Sequence, residues 1–102
     1  MNLFQRTDEF DRWLHRLQDR LGKVRVLHRL DAAALGNFGD CATIGEGVSE
    51  MRIHFGPGYR IYFKRVGTVV YVLLAGGDES TQERDIKRAL ELARQLDEGN
   101  DQ

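Results

Sequence analysis

The sequence predicts an α+β fold in which an N-terminal helical hairpin packs on a twisted antiparallel sheet and a C-terminal helix follows. Apolar residues recur every three or four positions near both ends of the chain, which predicts helices there. The middle of the chain holds short segments with apolar residues at alternate positions, separated by glycines, which predicts the sheet. A chain of 102 residues suits a single domain spanning residues 1–102.

The N-terminal third predicts a short edge strand and two helices. Residues 2–6 are partly apolar and suit an edge strand. Thr7 stands at an N-cap position ahead of acidic residues, which predicts a helix running to about Arg20. Gly22 is expected to break it, and a second helix is expected over 23–35. So short a break predicts an antiparallel hairpin. The apolar face of the first helix consists of Phe10, Trp13, Leu14, Leu17 and Leu21.

The middle of the chain predicts an antiparallel meander. Short glycine-containing turns separate the apolar segments, and Glu46-Gly47 suits a two-residue hairpin link. The segment VVYVLLA has no polar alternation, which predicts a central strand covered on both faces. The predicted strands span residues 42–45, 48–55, 59–66 and 69–76.

The last quarter predicts one helix followed by a frayed tail. Ser80 and Glu83 have the spacing of a capping box, in which each side chain satisfies a free backbone N–H of the other residue. The polar, acidic residues 97–102 are expected to fray. The apolar stripe of this helix consists of Ile86, Ala89, Leu90, Ala93 and Leu96.

Composition limits the classes of function. With 41% hydrophobic and 30% charged residues, a packed domain is expected. The net charge is −1, but residues 1–77 carry +3 and residues 78–102 carry −4, which leaves room for a basic surface. A single cysteine, Cys41, excludes an intrachain disulfide and suits a reducing cytoplasmic location. Charges begin at Arg6 and no apolar run reaches about 18 residues, so neither a signal peptide nor a membrane partner is expected.

Metal, cofactor and nucleophile chemistry find little support. The three histidines, His15, His28 and His54, lack the spacing of metal ligands. Ser49 and Ser80 are explained as a strand residue and a helix cap, and the glycines do not form a phosphate-binding loop. We therefore expect no metal and no cofactor.

The predicted hairpin over residues 50–64 is the most informative segment. One strand face is apolar, and the other carries cations and aromatics. Two guanidiniums on that face can hold a phosphodiester and stabilise a developing negative charge, and a histidine or tyrosine nearby can move a proton. Cations beside aromatic rings also suit single-stranded RNA. The alternative is an ordinary solvated sheet face. The side chains expected to meet there are Arg52, His54, Arg60 and Tyr62.

Four segments, in this order, resemble a known family: FDRWLHRLQD, LHRLDAAALGNFGD, GEGVSEMRIHFGPGYRIYF and LLAGGDESTQERDI. They are similar to addiction-module killer proteins, the HigB-type branch of the RelE/ParE toxin superfamily. The similarity covers about residues 10–96.

This resemblance implies a RelE-like fold and the toxin of a type II toxin–antitoxin system. The implied activity is a ribosome-dependent mRNA endonuclease that inhibits translation. It cleaves without a metal, through attack of the RNA 2′-OH on the adjacent phosphate. The implied partners are the ribosome, mRNA and a co-encoded helix-turn-helix antitoxin that neutralises the toxin in a hetero-oligomer.

The resemblance also assigns roles to residues. Arg60, in the Gly-Tyr-Arg motif, is similar to the family's phosphate-binding arginine, and Arg52 corresponds to a basic residue on the preceding strand. The implied catalytic residues are Arg60, Arg52 and His54, and the implied RNA-binding residues are Tyr62, Lys64 and Tyr59.

Two alternatives stay open. ParE-like members of the superfamily inhibit DNA gyrase, so the chain could act by binding a protein target. Glu79 stands where the family usually has a lysine, and a carboxylate there would repel RNA by about 1 kcal/mol at a solvated site. An attenuated toxin, retained as an antitoxin-binding regulatory module, is therefore the second alternative.

Overall fold

The fold is α+β, with a five-stranded mixed sheet between two helical layers. A computed structural model describes residues 1–99. The elements are β1 (Leu3–Arg6), α1 (Asp8–Arg16), α2 (Arg20–Ala34), β2 (Cys41–Gly45), β3 (Val48–Ile53), β4 (Tyr59–Arg65), β5 (Val70–Asp78) and α3 (Gln82–Gly99), with a short 3₁₀ turn at Glu79–Thr81.

The strand order in the sheet is β1-β5-β4-β3-β2. Strands β2 to β5 pair antiparallel with their sequence neighbours, so the predicted meander is confirmed. β1 is an edge strand, as expected, but it pairs parallel to β5, with Leu3 opposite Val70. The sheet is therefore mixed rather than purely antiparallel. A parallel pair needs a long connection between its strands, and α1, α2 and three strands lie between β1 and β5 in the chain.

The first two helices are divided at a different place from the one predicted. Thr7 caps α1 as expected, since its hydroxyl accepts a hydrogen bond from the backbone N–H of Phe10. α1 ends at Arg16, however, and α2 has already begun at Arg20, so the break expected at Gly22 is wrong.

Asp19 explains the difference. Its carboxylate accepts a hydrogen bond from the backbone N–H of Gly22 at 3.0 Å and so caps α2. Gly22 lies in the first turn of α2. A side chain at Gly22 would come within 2.5 Å of the Tyr59 ring, so this glycine permits close packing instead of ending a helix.

The turns and the central strand agree with expectation. Glu46 and Gly47 both have positive φ, 53° and 81°, as a tight two-residue hairpin link requires. On β5, Leu73 and Leu74 are both fully buried although they point to opposite faces, which confirms that this strand is covered on both sides.

Two apolar clusters, one on each face of the sheet, form the core. The first joins α1 and α2 to the sheet through residues such as Phe10, Val26 and Ile61. The second joins α3 to the other face through residues such as Ala89 and Leu74. Tyr62 belongs to the second cluster, so the strand face that carries Arg52, Arg60 and Tyr62 is the one beneath α3.

Both ends of α3 differ from the sequence prediction. Ser80 is not the cap, because a 3₁₀ turn over Glu79–Thr81 precedes α3 and Asp78 caps that turn: the Asp78 carboxylate accepts from Ser80 N, and Asp78 N donates to the hydroxyl of Thr81. The predicted frayed tail is helical up to Gly99, and residues 100–102 of that tail lie outside the described residues. Within residues 1–99, no helix is long and apolar enough to cross a membrane.

Candidate functional site

The candidate site lies on the face of β3 and β4 that α3 covers. The register places Arg52 opposite Arg60, and Glu50 opposite Tyr62. Directly opposite residues of an antiparallel pair share one face of the sheet. Arg52, Arg60 and Tyr62 are thus neighbours, and Glu50 lies among them.

This face is not open to solvent as the sequence suggested. Tyr62 is fully buried and Arg60 keeps 9% of its exposure. The reason is tertiary: α3 packs against the sheet, and Gly77 of β5, which pairs with Arg60, lets it come close. A methyl group on Gly77 would overlap the carboxylate of Asp85.

Arg60 has unused hydrogen-bonding capacity. Its Nε and Nη1 are buried and have no partner among residues 1–99. Buried polar groups are nearly always hydrogen-bonded, so an unpaired guanidinium is exceptional. Arg60 can therefore accept an anion on Nε and Nη1 without first giving up a hydrogen bond.

Glu50 is the centre of the polar network on this face. It is fully buried, and its carboxylate accepts hydrogen bonds from Arg52 Nε at 3.0 Å and from Gln82 Nε2 at 2.8 Å. Burial alone would raise the pKa of Glu50, but the hydrogen bonds from Gln82 and Arg52 and the nearby charge of Arg60 together lower it. Glu50 therefore stays ionised and holds Arg52 in place.

Tyr62 contributes a neutral hydroxyl. Burial, followed by the charge of the Glu50 carboxylate, raises the pKa of Tyr62 far above its ordinary value of 10.0. Its Oη has no hydrogen-bond partner among the described residues. At neutral pH this group can donate a hydrogen bond, but it cannot act as a base.

Tyr59 does not belong to this face. It lies in the cluster beneath α1 and α2, is 4% exposed, and donates from Oη to the Asp19 carboxylate at 2.7 Å. Burial, followed by the bond to Asp19, raises the pKa of Tyr59 to about 12. The period-two alternation of β4 puts Tyr59 on the opposite face of the sheet from Arg60, so the structure does not bring this implied RNA-binding residue together with Arg60.

His54 and Lys64 lie at the two ends of the network. His54 follows the last residue of β3, and its Nε2 lies 2.6 Å from the Asp40 carboxylate in an exposed position. Lys64 shares the face of Tyr62, but its Nζ bonds both carboxylate oxygens of Asp97 at 2.9 Å. Neither side chain contacts Arg60, and each already has an acidic partner.

Three residues of this site had no predicted role: Glu50, Gln82 and Asp85. Asp85, in the first turn of α3, is buried and accepts a hydrogen bond from the Thr81 hydroxyl. The one available signal was Glu50, a carboxylate that alternates with cations on a strand between apolar residues. Gln82 and Asp85 come from α3, and no pattern within that helix shows which sheet residues it covers.

The chemistry of the face follows from its charges. Arg52 and Arg60 are matched by the carboxylates of Glu50 and Asp85 around a neutral tyrosine hydroxyl. Within residues 1–99, no group of three or more His, Cys, Asp or Glu side chains is arranged to hold a metal ion. The exposed Glu79 lies against the turn between β3 and β4, where its backbone N–H approaches Pro57 O at 3.4 Å.

Comparison with known proteins gives a relative in Haemophilus influenzae. That protein is 44% identical over 87 residues, which cover 85% of this chain and 88% of the relative. The chain belongs to the family of this Haemophilus influenzae protein. The relative is described as an uncharacterized protein, so membership brings no activity with it. No protein-family model and no solved structure matches the chain.

Proposed function

We propose that this chain is the toxin of a type II toxin–antitoxin system and that it cleaves mRNA at the ribosome. The proposal includes a RelE-like fold in which α1 and α2 act as a helical hairpin. It rests on the four sequence segments that resemble HigB-type toxins and on one structural observation. That observation is the buried guanidinium of Arg60, whose Nε and Nη1 have no partner among the described residues.

The proposed chemistry uses two buried groups on this face, Arg60 and Tyr62, whose hydrogen-bonding capacity is unused among the described residues. The RNA 2′-oxygen attacks the adjacent phosphorus, the bond to the 5′-oxygen breaks, and the products are a cyclic phosphate and a 5′-OH. The 2′-OH gives up one proton and the leaving oxygen takes one. Arg60 stabilises the negative charge that builds up on the phosphate, and the hydroxyl of Tyr62 donates a further hydrogen bond. Glu50 keeps Arg52 beside them.

A buried Arg60 sets a condition on this mechanism. A phosphate reaches its guanidinium through the part of the residue that stays accessible, or after the N-terminal part of α3 moves away from β4. The hydrogen bond between Gln82 and Glu50 is one contact that such a movement would break. The ribosome is the proposed site at which this happens.

The proposal is tested by inducing the chain in cells and following growth. We expect growth arrest with wild type, loss of arrest with Arg60→Ala, and arrest retained with Arg20→Ala. Arg20 is a matched control because it is exposed at the start of α2 and makes no ion pair within residues 1–99. In a translation extract, the wild type should create new mRNA 5′ ends. Stalled translation without new ends would refute mRNA cleavage, and inhibition of DNA supercoiling would favour a gyrase-binding toxin instead.

A second candidate function is an attenuated toxin that regulates its operon through the antitoxin. Two observations favour it: Glu79 is exposed beside the β3–β4 turn, and carboxylates already balance the arginines beneath α3. Glu79→Lys distinguishes the two. Under attenuation, the wild type is harmless and Glu79→Lys gains toxicity, whereas under the main proposal the wild type already arrests growth.

The proposed partners are the ribosome with its mRNA and a helix-turn-helix antitoxin encoded in the same operon. We place the complex in the cytoplasm as a toxin–antitoxin hetero-oligomer. Co-expression with the product of the neighbouring gene should restore growth and yield a complex that copurifies. Growth arrest that no neighbouring gene relieves would count against this part of the proposal.

A further inference from the structure

α1 and α2 enclose an open groove that lies apart from the candidate site. Its volume is about 720 Å³. Leu14 of α1 and Leu27 of α2 form an aliphatic floor, and Leu27 keeps 37% of its exposure. This groove lies on the helical layer, across the sheet from the face that α3 covers.

The rim of the groove is basic. Arg6, Arg12, Arg16 and Lys23 line it together with a single acidic residue, Asp11. Arg6 lies 3.6 Å from the Asp11 carboxylate, but the other three cations form no ion pair within the described residues. A concentration of unpaired cations is unusual in a chain whose net charge is −1.

An exposed aliphatic strip on α2 continues from the floor. Val24 is 60% exposed and Leu21 66% exposed, and with Leu27 they follow one another at three-residue steps. Such side chains are buried when an amphipathic helix packs on its own core. Here they face solvent, which marks the helix surface as one available for a further contact.

We propose that this groove binds an acidic amphipathic helix of a partner protein. Its apolar residues, spaced at i, i+4 and i+7, would contact Leu27 and the floor, and its carboxylates would contact Arg12, Arg16 and Lys23. Single-stranded nucleic acid suits the groove less well. No Phe, Tyr or Trp among the described residues lines it, and the one ring that it offers bases for stacking is the small imidazole of His15. The inference depends on the groove alone and stands whether or not Arg60 binds phosphate.

The test uses a synthetic helical peptide with leucines at i, i+4, i+7 and i+11 and glutamates elsewhere, titrated into ¹⁵N-labelled full-length protein. We expect NMR shift changes confined to residues of α1 and α2 and binding that weakens as salt is raised. The double variant Arg12→Glu/Lys23→Glu should weaken binding by about tenfold. The control Arg20→Glu/Lys87→Glu has the same net charge but changes exposed cations that do not line the groove, and it should bind as wild type does.

Several outcomes would overturn the proposal. They are no binding at about millimolar peptide, shift changes that map to the sheet or α3, and equal weakening by both double variants. Equal binding of a peptide with lysines in place of the glutamates would do the same. A single-stranded RNA oligonucleotide is titrated in parallel. If RNA binds more tightly than the peptide and Arg12→Glu/Lys23→Glu abolishes that binding, the occupant of the groove is nucleic acid and not a helix. The ¹⁵N spectrum of each variant shows directly whether it is folded.

Discussion

Replacing Glu50 with alanine should destabilise the protein by about 3–5 kcal/mol. The carboxylate is fully buried and accepts a hydrogen bond from the partly buried Gln82, worth about 1 kcal/mol. The larger part comes from Arg60, whose buried guanidinium would lose the nearby negative charge that compensates it. For a domain with a total stability of about 5–15 kcal/mol, this is a substantial loss.

The measurement is urea unfolding at neutral pH, followed by circular dichroism and by the fluorescence of Trp13, the single tryptophan. Glu83→Ala is the matched control, because Glu83 is an exposed carboxylate on α3 with no ion pair within residues 1–99. It should change stability by less than about 0.5 kcal/mol. Equal unfolding midpoints for Glu50→Ala and Glu83→Ala would refute the view that Glu50 holds this face together.

The same carboxylate gives a pH dependence of known sign. Its pKa in the folded protein lies below the ordinary value of 4.5, so its contribution to stability is present above that value and is lost as pH falls through the folded pKa. Glu50→Gln keeps the shape but lacks this titration. The stability difference between wild type and Glu50→Gln should be constant above about pH 5 and should shrink in more acidic solution. A difference that does not change with acid would contradict the ionised assignment.

Three further substitutions probe single contacts by thermal or urea unfolding. Gly76→Ala should lower the free energy of unfolding by about 1–3 kcal/mol, because the added methyl group would overlap the Trp13 ring. An unchanged unfolding midpoint would mean that the ring moves freely. Tyr62→Phe should leave stability unchanged or raise it by up to about 1 kcal/mol, since the hydroxyl that it removes is buried without a partner among the described residues. A marked loss of stability would show that the hydroxyl does form a hydrogen bond. Asp19→Ala should lower the melting temperature more than Asp19→Asn, because the amide oxygen can still accept from Gly22 N and cap α2, while the amide NH2 can donate to the Tyr59 hydroxyl. Equal losses would argue against that cap.

The pairing of the strands follows from local pattern, whereas the burial of the site does not. Alternation along the hairpin places Arg52, Arg60 and Tyr62 on one face, and a glycine-containing turn sets which residues lie opposite each other. Exposure depends on α3, which is distant in sequence. The alternation of polar and apolar residues along a strand is the same whether water or a helix covers its polar face. The pattern therefore suggested a solvated face, whereas the structure has the buried carboxylates of Glu50 and Asp85 there.

The helix boundaries show a similar limit. Glycine often ends a helix and serine often begins one, so the sequence predicts those roles for Gly22 and Ser80. In each case an aspartate two or three residues earlier is the cap: Asp19 caps α2, and Asp78 caps the 3₁₀ turn that leads into α3. Capping strength is comparable among Ser, Thr, Asn and Asp, so neighbouring candidates compete and tertiary contacts decide between them. For Gly22 the deciding contact is the Tyr59 ring.

The parallel pairing of β1 with β5 has a consequence for how the chain acquires its structure. Thr7, just after β1, donates a hydrogen bond to Leu74, which comes 67 positions later. As the polypeptide leaves the ribosome, β1 has no strand to pair with, and α1 lacks the strand on which it chiefly packs, until β5 has been made. Folding to the native state is therefore delayed until synthesis is nearly complete, and a chain truncated before residue 70 would leave β1 without the strand with which it pairs.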